Sequence, residues 1–497
     1  MGLTIALVSL RDLERLDLLE RFSTIVVGSV PVGSIPADAA ANLRRWTSDG
    51  GTLIGSATAD LDDLFGVRHQ QNWAQPAGPF SIAATFELVA HPLTTDARSR
   101  LPVRQALLAL SPIRGVLSNL ATALARLFAF DGTATAQAAI TDRRGGQGHA
   151  VYFAFDLAQT IWALHKGKPI ERDIDGDGYY RTCDLIAIGS HSPDVQYADE
   201  LLWLVQNVLA RTGQPLIHQL PPHHGQIPDL LCYWGGDDEA ATNGLQRAAS
   251  DFLRSRGLPY HINAMAVDGR FGLSPSDAAA IQANGHELSL HYNFHDGVDH
   301  PYAFSESDVV VQTDAFRRTF GLDPICTVNH FVHWTGWHEP ATWFSRAGVR
   351  ADNSFLHQVL DRAAHDELTL NLFYHPVYLA EWPTCRQAID EGLRYLAERN
   401  LDAVHLGNDA LWRWWDARHR SSIDAALADG QAIRFRARCA FPDGMIVKIP
   451  AEHSAIGAIL VDGEAVTHAV KTRAARYWAY AIVPAGEPEV IVALAPP

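Results

Sequence analysis

The chain has 497 residues, a mass of 54.5 kDa and a formal charge of −16, from 40 basic and 56 acidic side chains. Such a length predicts roughly two to four domains, and 47% hydrophobic with 19% charged residues excludes wholesale disorder. The acidic balance argues against nucleic acid as a partner, and no apolar run approaches the ~20 residues that a membrane helix needs.

The start, MGLTIALVSLRDLERLDLLERF, lacks the basic opening of a secretory signal, so a cytoplasmic location is expected. LTIALVSL predicts a strand, RDLERLDLLERF a helix, and STIVVGSV a second strand. ADAAANLRRWTSDGG reads as a helix stopped by glycine, and TLIGSA as a buried strand. GHAVYFAFDL and YADELLWLVQNVLARTG continue the alternation, which predicts a doubly wound parallel α/β sheet over residues 1–215.

PLIHQLPPHHGQIPD carries four prolines and breaks both periods, placing a linker at 216–227. Strand-like LLCYWGG, PYHINAMAV, HELSLHY, PICTVNHF and LTLNLFY then alternate with helical NGLQRAASDFLRSRG, DVVVQTDAFRRTFG and RQAIDEGLRYLAERN. Repeated βα units over 228–419 predict a distorted barrel of parallel strands, closed by the Trp-rich helix LGNDALWRWWDARHR. From 420 to 497, QAIRFRARCAF, GMIVKIP, AIGAILVDG, RYWAYAIVP and EVIVAL predict a small antiparallel β domain.

The five cysteines (183, 232, 326, 385 and 439) are odd in number and form no CxxC pair, which excludes a disulfide or zinc-ribbon scaffold. Ten of the 23 histidines fall between His286 and His375, mostly at predicted strand ends, which form the active face of a parallel barrel. LLCYWGGDDEA ends a strand in two glycines and delivers Asp237 and Asp238, whose side chains point in different directions. One can serve as a base while the other binds metal. NGHELSLHYNFH places His291 and His295 four apart. One carboxylate with two imidazoles suits zinc or a similar divalent ion. The HExxxH spacing of His286, Glu287 and His291 differs from the HExxH of zinc peptidases. Solvated loop acids and histidines held by backbone partners are the plainer alternative.

These segments resemble the polysaccharide deacetylase superfamily over about residues 228–418. The resemblance implies a distorted (β/α) barrel, with Asp237 as base, Asp238, His291 and His295 as metal ligands, and His375, in LNLFYHP, as catalytic acid. The family's third motif, Arg-x-Pro-Tyr, has no counterpart. ICTVNHFVHWTGW stands there instead, with Asn329, His330 and Trp334 as candidates for its space. His375 is followed by Pro376 where the family has Asp, and Asp352 is the candidate to orient it. Trp334 and Trp337 could stack on sugar rings; Trp343 reads as core. Residues 1–215 loosely resemble a class I glutamine amidotransferase-like fold, but residues 1–182 hold no cysteine for its catalytic elbow. Structural support or homo-oligomerisation is the expected role.

DIDGDGYYRTCD sets Asp173, Asp175, Asp177 and Asp184 at positions 1, 3, 5 and 12 of a calcium-type loop, with Gly178 at position 6. Neutralisation of a structural loop by Arg172 and Arg181 is the alternative. The leading expectation is a metal-dependent hydrolase that removes an acyl group, N-acetyl first, from a carbohydrate. Two other readings stay open: a non-catalytic carbohydrate-binding or scaffolding protein, and an amidase or esterase acting on a non-sugar substrate.

Overall fold

A computed structural model describes residues 2–75, 77–101, 106–110, 112–186, 195–296, 303–352, 367–424, 426–428, 431–451, 456–473 and 476–494. The fold is mixed α/β. In the N-terminal region three strands, Thr24–Val27, Thr52–Ser56 and Gly148–Phe153, run parallel. The helix Ala37–Ser48 covers them with Ala39, Ala40, Leu43 and Trp46. Beyond Gly148–Phe153 the sheet is antiparallel, through Ala134–Gly145, Thr122–Ala129, Ile82–Leu88 and Leu107–Leu110.

The expected doubly wound parallel sheet therefore holds for those three strands and not for the rest. The reason is local. Only Gly146 and Gln147 separate Ala134–Gly145 from Gly148–Phe153, and so short a turn can only reverse the chain, whereas a parallel pair needs a crossover of about a dozen residues. LTIALVSL does not form the expected strand. Residues 2–9 are irregular, and the chain is pinned there by the Gly2 carbonyl accepting from Ile217 N (2.9 Å) and by Thr4 Oγ1 donating to the Ile423 carbonyl (3.0 Å).

The central region carries seven parallel strands: Leu230–Asp237, His261–Val267, Glu287–Tyr292, Cys326–Asn329, Ala351–Asp352, Thr369–Phe373 and Ala403–Leu406. Leu230–Asp237 lies at the centre. It pairs with Thr369–Phe373 on one side, and on the other with Ala403–Leu406 along its first half and His261–Val267 along its end.

The C-terminal region is a pair of antiparallel sheets. Met445–Ala451, Arg476–Val483 and His468–Arg473 form one; Ala432–Arg438, Glu489–Leu494 and Ile456–Val461 are central to the other. Leu216–Ile217, from the proline-rich segment, adds a strand to the first sheet opposite Val447 and Lys448, so the connecting segment is also part of this region. Among the described residues no helix is long and apolar enough to cross a membrane.

A buried ionic cluster ties the central region to the C-terminal sheet and the connecting segment, at the edge of the parallel sheet where its strands begin. The Glu367 carboxylate, just before Thr369–Phe373, accepts from Lys448 Nζ (3.0 Å), the Tyr480 hydroxyl (2.6 Å) and His218 Nε2 (3.1 Å). His218 Nδ1 accepts from Leu220 N (3.0 Å), which puts the proton on Nε2. Burial raises the Glu367 pKa, but Lys448 and His218 outweigh it and hold the carboxyl well below its usual value.

A depressed carboxylate contributes stability that is full above its unfolded pKa of about 4.3 and is lost as pH falls through the folded value. Glu367→Gln is therefore expected to cost about 3–5 kcal/mol at neutral pH by leaving the Lys448 charge buried without its partner. It should also flatten the loss of stability below about pH 4.3. Denaturant unfolding of both proteins across pH 3–7 checks this, and parallel pH curves would rule it out.

Candidate active site

Side chains alternate across a strand, so register decides which groups share one face of the parallel sheet. Asp237 pairs with Asn263, His261 with Glu287, and Met265 with His291. Asn263 and His261 are two apart, as are Glu287, Ser289 and His291, so Asp237, Asn263, His261, Glu287 and His291 line one polar face of the sheet. The strand reaches this position because Gly236 passes against Tyr374: a Cβ there would fall 1.9 Å from the Tyr374 carbonyl oxygen.

Asp238 faces the other way. Its Oδ1 accepts from Met265 N (2.8 Å) and Ala240 N (3.0 Å), and its Oδ2 from Gln246 Nε2 (3.2 Å). Burial pushes its pKa up to about 7 against these donors. The next residue turns back. Glu239 and Ala240 both adopt left-handed backbone, at φ 50° and 52°, a conformation that costs non-glycine residues about 1–3 kcal/mol and clusters at functional sites.

This turn sets Glu239 among the histidines. Its carboxylate lies 3.1 Å from His330 Nδ1, 3.2 Å from His375 Nδ1 and 4.0 Å from His291 Nε2. His291 Nε2 lies 3.3 Å from His330 Nδ1 and 3.5 Å from Asp237 Oδ2. On the far side, Phe331 and Val332, at φ 52° and 51°, repeat the strained backbone just after His330.

Ligand atoms of Glu239, His291 and His330 all lie within 4.8 Å of one another, close enough for one ion. The chemistry of the set fits a divalent metal. His291 Nδ1 donates to the Val328 carbonyl (2.8 Å), which directs the Nε2 lone pair into the cluster. Burial lowers the His291 pKa and keeps the ring neutral, and two imidazoles with a carboxylate suit zinc-type ions.

The two residues expected to move protons flank the set. Burial is the largest influence on Asp237 and raises its pKa, opposed by His291, His375 and the hydrogen bond from Asn263. His375 Nδ1 donates to the Asp237 carbonyl (3.0 Å). Burial lowers the His375 pKa, but the Glu239 hydrogen bond and the Asp237 and Glu239 charges outweigh it, so the net shift is upward.

His295 stands beside the central set, 3.4 Å from His333 Nε2 through its Nδ1, with its ring on Tyr179 (centroids 4.6 Å). Asn329 is buried and donates to the His333 carbonyl (2.9 Å). Asp352 sits on the outer strand opposite Thr327, and the groups holding His375 Nδ1 are the Asp237 carbonyl and Glu239. Trp334 is buried and donates to the Trp337 carbonyl (2.9 Å), so it serves as core and presents no face to a sugar. Trp337 packs edge-on against Phe80 of the N-terminal region (5.2 Å).

In the acidic loop, Asp173 accepts from Gly176 N (2.6 Å) and Gly178 N (2.7 Å), and Asp177 pairs with Arg181 (2.8 Å). Carboxylate oxygens of Asp173, Asp175 and Asp177 lie within one ion's reach, while Asp184 turns inward to accept from Ile174 N (2.7 Å) and Arg181 N (3.0 Å). The loop also docks on the central region: Trp334 N donates to the Tyr180 carbonyl (2.9 Å), and Tyr179 lies against His295 and His333.

Sequence reasoning missed Glu239, His333, Tyr179, Asn263 and His261 as members of this site. Glu239 was findable as the third acid of the Asp-Asp-Glu run. Tyr179 carried no such signal, because it comes from another region of the chain.

No family model and no curated protein matches this sequence. Among solved structures, the chain is similar to Agd3, a novel carbohydrate deacetylase, at 11% identity and a TM-score of 0.43, covering 96% of this chain and 91% of that one. It is also similar to a β-galactosidase from Bacillus circulans sp. alkalophilus at 15% identity and a TM-score of 0.20, where the match spans 27% of this chain and 20% of that enzyme's length. A third similarity is to a cytoplasmic protein of Salmonella typhimurium, at 14% identity and a TM-score of 0.22, covering 29% of this chain and 64% of that one. At such scores the likenesses say nothing about chemistry, which the site's own residues must define.

Substitutions separate the two sides of the strand end. His291→Ala, Glu239→Ala and His330→Ala are each expected to lower the divalent metal bound per chain, read by elemental analysis after dialysis. Asp238→Ala should instead lower the melting temperature, because the buried N–H groups of Met265 and Gln246 each lose an acceptor at about 1–3 kcal/mol. Metal loss in Asp238→Ala at unchanged stability would reverse this division.

Proposed function

We propose that this protein is a divalent-metal-dependent hydrolase that removes an acyl group, N-acetyl foremost, from a carbohydrate. The observation that carries the reading is the meeting of a base, an acid and a metal-type donor set, from separate parallel strands, at one end of the barrel. Zinc is the ion that the donors of Glu239, His291 and His330 suit. When bound there, such a cation supplies Lewis acidity, drawing electron density from the acyl carbonyl and easing deprotonation of water.

The rest follows from the chain's own groups. Asp237, held at Oδ1 by Asn263 Nδ2 (2.9 Å), takes the proton from water as it attacks the acyl carbon. The raised pKa makes Asp237 a stronger base than an exposed aspartate. His375 starts protonated and gives its proton to the leaving nitrogen as the C–N bond breaks, releasing a carboxylic acid and an amine. One residue is thus poised to take a proton and the other to give one, as acyl hydrolysis requires.

The aromatic wall formed by Tyr179 and Phe331, with Phe331 half exposed beside His295 and His330, suits the apolar face of a sugar ring. Arg181 lies over Phe331 at 5.4 Å and stiffens that wall.

Release of acetate from a panel of N- and O-acetylated oligosaccharides tests the reading. Release should require zinc or cobalt, stop with chelator, and fall about a hundredfold to ten-thousandfold in Asp237→Asn and in His375→Ala. Metal-loaded protein that releases nothing across the panel would count against it. Tyr179→Ala should raise KM with little change in kcat, the mark of lost binding common to ground and transition states. An unchanged KM would remove Tyr179 from the substrate wall.

A further inference from the structure

Behind Asp237 a chain of buried polar groups runs away from the metal-type cluster and ends on a helix. Asn263 Nδ2 donates to Asp237 Oδ1 (2.9 Å), and Asn263 Oδ1 faces His261 Nε2 (2.9 Å). His261 Nδ1 faces Glu287 Oε2 (3.0 Å). Glu287 in turn accepts from Asp409 N (2.8 Å) and Ala410 N (2.9 Å), the first turn of the helix Asn408–Arg420. Gly407 makes room for this contact, since a Cβ there would fall 2.2 Å from Glu287 Oε2. His261 and Asn263 have no exposed surface.

The hydrogen-bond roles leave little freedom. Asn263 gives its amide N–H to Asp237 Oδ1, so the atom it turns toward His261 is its carbonyl oxygen, which only accepts. His261 Nε2 must then donate. Its other nitrogen faces a carboxylate and must donate as well, so the ring carries both protons. Burial is the largest influence on His261 and opposes its charge, but Glu287 and Asp409, with Asp409 Oδ1 at 3.6 Å from Nδ1, outweigh it. The other groups facing this pair are the Cys326 thiol and Arg413, both near Asp409.

We propose that His261 is a buried imidazolium that acts through Asn263 to aim the Asp237 carboxylate at the reacting centre, with Glu287 anchoring it to the helix Asn408–Arg420. Asn263, His261 and Glu287 are then positioning residues for the hydrolysis proposed above, and their kinetic role rests on that reading. The alternation of charge along the chain, from Glu287 through His261 to Asp237, holds the Asp237 carboxylate from its buried side. A dipole held at 2.9 Å on one oxygen leaves the other, Oδ2, facing the cluster.

Two measurements on the full-length protein test this. In the first, nitrogen-15 NMR of histidine-labelled wild type, assigned by comparison with His261→Gln, should show both His261 ring nitrogens protonated across pH 6–8. In the second, Asn263→Ala should lower kcat by about 10- to 100-fold with KM within about twofold, and Asn263→Ser should fall between it and wild type.

A single-tautomer neutral ring would overturn the proposal. So would loss of one bound metal equivalent in His261→Gln, which would make His261, Glu287 and Asp409 a second metal site. Full kcat in a destabilised Asn263→Ala would assign these residues to structure alone. Wild type inactive on every substrate would sink the hydrolase reading, while the NMR result would still decide the imidazolium.

Discussion

The site depends on the close approach of Gly236 to the neighbouring strand end. Without a side chain at Gly236, the strand Leu230–Asp237 runs against the Tyr374 carbonyl and the Tyr260 hydroxyl, deep enough to bury its last residue on the polar face of the sheet. Three successive acids then leave the strand in three directions. Asp237 enters the polar interior, Asp238 caps backbone amides on the outer side, and Glu239 is swung back by left-handed backbone to meet three histidines. A side chain at Gly236 would push this strand end outward and disperse all three acids.

The three regions meet around this parallel sheet. The N-terminal region contributes Tyr179 and Phe80 to the face where the histidines gather. The C-terminal sheet contributes Lys448 and Tyr480 to the Glu367 cluster at the opposite end. The Trp-rich helix spans both roles. Its first turn is held by Glu287, while Trp414 is fully buried, donates to the Gln219 carbonyl (2.7 Å) and packs on Phe441 of the C-terminal region. Anchoring on both sides suits a base that must keep its geometry, since displacements on the order of 1 Å can cost a hundredfold in rate.

Strain is concentrated where the chemistry is. The left-handed pairs Glu239–Ala240 and Phe331–Val332 flank the same histidines, each residue in a conformation disfavoured by about 1–3 kcal/mol. The buried network around Asp238 holds the first pair, and the Asn329 hydrogen bond to the His333 carbonyl holds the second. Both turns set side chains at angles that a relaxed loop would not.

The sequence by itself determined a good deal. Glycine stops and apolar periodicity located the parallel strands and their helices, the antiparallel C-terminal strands, and the strand end bearing Asp237. The histidine clustering pointed to the face on which His291, His330 and His375 meet, because strand ends are local features and parallel βα units bring such ends together. Tertiary structure decided the rest. Which of two adjacent aspartates faces inward depends on register, and a one-residue shift exchanges them. The partners of Asp237 come from Asn263, His261 and Glu287, whose alignment exists only once neighbouring strands pair. Tyr179 and Leu216–Ile217 join regions distant in sequence, and contacts of that kind leave no periodic trace in the chain.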